Sequence, residues 1–117
     1  MTHEERVMSI DVRWEAAPEW PETEGHVLGE LRDDDSLVER FLVRSKIQDL
    51  PYVRFINPSP NGLTVFHQQH MRQLIDELET LSQRQHDPDV ARHLRAVLDF
   101  VRQAYGRGKG SILFCGE

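Results

Sequence analysis

Thr64-Val65-Phe66-His67-Gln68-Gln69-His70-Met71 continues through Leu74, Ile75, Leu78 and Leu81 to Gln85. Asp87-Pro88-Asp89-Val90 then continues through Leu94, Val97, Leu98 and Val101 to Tyr105-Gly106. The reading of this stretch decides the fold. In both halves the apolar residues recur at three- and four-residue intervals, the repeat of a helix with one buried face. Thr64 is the expected N-cap of the first helix, with Phe66 opening its stripe. Asp87 followed by proline predicts the start of the second, because proline's missing N–H costs nothing at the first helical position. Gly106 is the expected stop. With only a few residues between them, the two helices should form an antiparallel hairpin over about 64–106.

The rest of the chain supplies a sheet. Met8, Ile10, Val12 and Trp14 alternate with polar residues, predicting a half-buried strand over about 7–14. Pro51 to Ile56 is rich in aromatic and β-branched residues and is read as a strand over 52–56. His26 to Arg32 is a weaker strand candidate. Ser111 to Cys115 is a short apolar run without alternation, read as a final strand inside the sheet and buried on both faces. Ser36 and Glu39 have capping-box spacing before Leu37, Val38, Phe41 and Leu42, which favours a helix over 37–46, although a strand fits nearly as well. Asn57-Pro58-Ser59-Pro60-Asn61-Gly62 is a loop. The expectation is one α+β domain over 1–117, a small antiparallel or mixed sheet with the helical hairpin packed on one face.

Charge is unevenly spread along the 117 residues. Residues 1–35 hold eleven acidic and three basic side chains, while residues 36–117 hold nine and eleven, for a total of −6. An acidic segment of this kind repels phosphate and argues against nucleic-acid binding. It suits a partner protein with a basic surface. The skew to twelve arginines over two lysines, Lys46 and Lys109, points to a GC-rich bacterial genome. The acidic N-terminus, with no apolar stretch behind it, does not read as a secretory signal, and no apolar run approaches the roughly 20 residues of a membrane span. The lone Cys115 suits a reducing cytoplasm.

The segment Tyr52-Val53-Arg54-Phe55-Ile56-Asn57-Pro58, Thr64-Val65-Phe66, Gln69, Met71 to Leu78 and the closing Ile112-Leu113-Phe114-Cys115-Gly116-Glu117 resembles a group of small uncharacterised bacterial proteins. In that group an aromatic strand leads through a loop into a Thr-Val-Phe-Asn helix start, and an aromatic strand with Gly-Asp closes the chain. His67 stands here in place of that Asn, and Glu117 in place of that Asp. The resemblance implies the fold outline over about residues 52–117 and carries no activity, substrate or cofactor.

Chemistry-bearing residues are few. His67 and His70, three apart on a helix, could face one metal, but no third ligand has diagnostic spacing, so no metal or cofactor is expected. Cys115 lies in an apolar strand, where a free cysteine behaves as a small hydrophobe. The Gly106-Arg107-Gly108-Lys109-Gly110 loop follows a helix and enters a strand, the wrong order for a phosphate cradle. No catalytic constellation is present, and an enzyme is not the favoured reading. Trp14 is expected in the core. Trp20, beside Glu19, Glu22 and Glu24, is either an interface anchor or a lid on the core. The first functional expectation is therefore a non-enzymatic cytoplasmic protein-binding module, in one form an immunity- or antitoxin-like inhibitor of a basic partner, with Glu19, Trp20, Glu22 and Glu24 at the interface. Self-association as a homodimer is a further option. The alternative is a small-ligand or anion site, or an enzyme, with Arg54, Asn57, His67 and His70 converging where the 57–64 loop meets a helix start.

Overall fold

The computed structural model describes residues 9–16, 27–33, 38, 42, 46–57 and 61–116. Strand β1 (Ile10–Glu15) and strand β2 (Val27–Leu31) are followed by a short helix α1 (Pro51–Phe55), strand β3 (Leu63–Phe66), helices α2 (Gln68–Gln83) and α3 (Pro88–Arg107), and strand β4 (Ser111–Gly116). The strands form one antiparallel sheet in the order β2-β1-β4-β3. The α+β class and the helical pair expected from the sequence are both present.

Alternation along the strands assigns the sheet's two faces. Ile10, Val12 and Trp14 of β1, Thr64 and Phe66 of β3, and Ile112 and Phe114 of β4 are buried on one side. There they meet Met71, Leu74, Leu78 and Leu81 of α2 and Val90, Leu94, Val97 and Val101 of α3, which form the core. Asp87 caps α3 by accepting from the N–H groups of Asp89 (2.9 Å) and Val90 (3.5 Å), with Pro88 in the first turn. Gly108, not Gly106, ends the helix in the left-handed region at φ 66°, a conformation glycine adopts without strain. Ala104 takes the last buried position of α3, and Tyr105 is exposed.

Further expectations are corrected. Residues 52–56 are not a strand: Pro51–Phe55 is helical. Thr64 is not a helix N-cap, and the helix start implied at Thr64-Val65-Phe66 by the resemblance is strand β3 instead; α2 is capped by His67. The fourth strand is therefore Leu63–Phe66, joined by the weaker candidate at 27–31. Finally, β4 lies inside the sheet, paired on both sides, but only Ile112 and Phe114 are buried, so one face is covered rather than two. Within the proposed 37–46 helix, Val38 and Leu42 are helical and buried, and the remainder lies outside the described residues up to Lys46, as do Met8 of the first strand and Trp20 with its acidic neighbours Glu19, Glu22 and Glu24.

A candidate docking cleft on a free sheet edge

Helix α1 has only five residues and no side-chain cap of its own. A helix this short is not stable alone, because its nucleus fixes several residues for one hydrogen bond. Glu77, buried on α2, supplies what is missing. Its Oε1 accepts from the N–H groups of both Tyr52 and Val53 at 2.9 Å, and Gln73 Nε2 donates to its Oε2 at 2.9 Å. The chain leaving α1 is held in turn: Asn57 N–H donates to Thr64 Oγ1 at 2.9 Å, tying the loop to β3.

These ties leave a cleft of about 480 Å³ between α1 and β3. Tyr52 and Phe55 form one wall and Leu63 to Phe66 the other, with Asn57 and His70 contributing polar atoms. Tyr52 stacks on Phe66 with ring centres 6.0 Å apart and meets His70 edge-on at 5.9 Å; Phe66 meets Phe114 edge-on at 5.8 Å. Residues from both faces of β3 line the cleft, so it runs along that strand's outer edge. Phe55 is 76% exposed, Leu63 58% and Val65 38%.

The two edges of the sheet both expose apolar residues, Val27 and Leu28 on β2 and Leu63 and Val65 on β3, and differ in charge. At β2, Glu30 pairs with Arg13 of β1 (2.9 Å) and reaches toward Arg32 (3.8 Å), and the pairing slips in register between Trp14 and Glu15. Charges and irregular register are the devices by which natural sheets block pairing with other chains. At β3 the sequence from Asn61 to Met71 contains no Asp, Glu, Lys or Arg. Gly116 N–H donates to Gly62 O (2.8 Å), which makes residues 62 and 116 a hydrogen-bonded pair. By antiparallel alternation Thr64 and Phe66 turn their peptide groups toward β4, and Leu63 and Val65 turn theirs outward.

Of the four residues expected to converge on a ligand, two do. Asn57 and His70 line the cleft. Arg54 instead reaches Gln48 O (3.4 Å) and is not among the cleft's lining residues. His67 serves as the N-cap of α2: its N–H donates to His70 Nδ1 (3.3 Å), His70 N–H donates to His67 O (2.9 Å), and His67 Nδ1 lies 3.0 Å from Ser111 Oγ. Among the described residues that line the cleft there is no arginine or lysine. Among the described residues, no three His, Cys, Asp or Glu side chains stand close enough to share a metal ion.

The other motifs resolve into structure. Trp14 Nε1 donates to Lys109 O (3.0 Å), and Gln68 Nε2 donates to the carbonyls of Lys109 (2.9 Å), Ala104 (3.0 Å) and Gly110 (3.3 Å). The glycine-rich loop is thus a helix-to-strand turn held by its carbonyls, with the Arg107 guanidinium 5.7 Å from the Trp14 ring. Cys115 is half-buried, and burial pushes its thiol above the usual value, with Arg13 opposing. Two carboxylates, Asp11 and Asp33, are buried together, which the acidic runs did not foretell. Asp33 accepts from Ile10 and Val38 N–H (3.1 Å each) and donates its own N–H to Asp11 (2.9 Å), and His93 Nε2 stands 3.7 Å from its second oxygen. They act as a joint between β1, Val38 and α3.

Sequence reasoning missed Tyr52, Phe55, Leu63 and Val65 as site residues. The available signal was the seventeen-residue stretch without charge from Phe55 to Met71, with Leu-Thr-Val-Phe alternation inside it. No family model, curated protein or solved structure matches this chain. No helix among the described residues is long and apolar enough to cross a membrane.

Proposed function

We propose that this protein is a docking module that binds polypeptide through the free edge of β3 and the cleft beside it. The observation that carries the reading is the aromatic-walled cleft along the outer edge of β3, continuous with exposed Phe55, Leu63 and Val65 and with no charged residue among the described residues that line it. An added strand would satisfy the outward peptide groups of Leu63 and Val65, and side chains alternating along it would enter the cleft or cover the exposed apolar residues. A cleft of this size with aromatic walls and few polar groups suits an apolar or aromatic side chain. The net charge of −6, concentrated in residues 1–35, favours a partner with a basic surface, reached through Glu19, Trp20, Glu22 and Glu24. An inhibitor of the immunity or antitoxin kind, acting in the cytoplasm with Cys115 reduced, is the form that combines these features.

Selection from a library of extended peptides tests the reading. Peptides with apolar side chains at alternate positions should be recovered on the wild-type chain and lost on a Leu63→Lys/Val65→Lys variant. If no peptide is enriched, or if those enriched bind the variant equally, docking at this edge is wrong. Thermal shift with phosphate, sulfate and nucleotides should show no stabilisation, since a site filled at about 100 times its dissociation constant adds about 2.7 kcal/mol and would be seen. A shift would instead favour the small-ligand alternative at Asn57 and His70.

A further inference from the structure

We draw no further inference here: the strongest candidate, the apolar surface that exposed Phe55, Leu63 and Val65 form along the cleft between α1 and β3, belongs to the site already described, and nothing in the structure shows what covers it.

Discussion

Glu77 decides whether the cleft exists, and its removal gives a prediction with a calculable size. Its carboxylate accepts from Tyr52 and Val53 N–H at 2.9 Å each, and those two groups open a five-residue helix with no other cap. A hydrogen bond to a charged group contributes about 1.5–3 kcal/mol, and a buried donor left without a partner forfeits a similar amount. The two bonds are not independent, so Glu77→Ala is expected to cost about 3 kcal/mol rather than the full sum. Glu77→Gln keeps an oxygen for both donors and should cost about 1 kcal/mol. At about 4 °C per kcal/mol for a chain of this size, the alanine variant should melt about 12 °C lower. Urea unfolding followed by circular dichroism measures the free energies. Amide exchange locates the effect: Tyr52 and Val53 should lose protection in the alanine variant well before amides in the middle of α3. If Glu77→Ala stays within about 0.5 kcal/mol of wild type, α1 is held by its apolar contacts and the capping argument fails.

Two further predictions concern the opposite end of the sheet and its open face. Gly110 has φ 79°, and a Cβ there would lie 2.6 Å from Trp14 Nε1 and 2.7 Å from Glu15 O, so Gly110→Ala should cost about 2–4 kcal/mol. Gly106 lies in α3 with nothing within 4 Å of such an atom, so Gly106→Ala should instead stabilise by about 0.5–1 kcal/mol; thermal melts that rank the two alike would refute the steric account. Cys115 has its thiol pushed up first by burial, with Arg13 lowering it and Glu15, Asp11 and Glu30 adding to the rise. The folded value then exceeds the unfolded one, so this contribution to stability is fully present below the unfolded pKa and is lost as pH climbs through the folded one. Iodoacetamide at pH 8 should therefore alkylate the native chain more slowly than the urea-unfolded chain, and an equal or faster native rate would contradict the burial.

The helical hairpin was legible because its information is local. Asp87 and Pro88 cap α3 from within, and the stripes at Met71–Leu81 and Val90–Val101 need only the helical repeat to be read. Strand β1 was legible for the same reason, its alternation being confined to six residues. The reversal of α1 and β3 has a different origin. Tyr52-Val53-Arg54-Phe55-Ile56 carries strand propensities, and its helix depends on a carboxylate 24 and 25 residues away. Thr64 resembles a helix cap, but its hydroxyl accepts from Asn57 N–H, seven residues back, while α2 is capped by His67, whose N–H donates to His70 Nδ1. In both places a tertiary hydrogen bond outweighed a local preference worth at most about 1 kcal/mol.

The two misread segments are also the two walls of the cleft, and there is a physical reason for the coincidence. A sequence whose local preferences and tertiary contacts agree specifies a segment twice over; one in which they conflict must be held by particular long-range bonds. Tyr52 to Phe55 and Leu63 to Phe66 are of the second kind, and both expose apolar side chains that a chain selected for folding alone has reason to bury or charge. The β2 edge carries one charge, Glu30 set against Arg13, beside exposed Val27 and Leu28. Strand β3 carries no charge. The uncharged stretch runs from Phe55 to Met71, between Arg54 and Arg72, and so takes in the end of α1 and the loop as well as the strand. The exposed apolar residues of the cleft, Phe55, Leu63 and Val65, all lie within it, as an apolar docking surface requires.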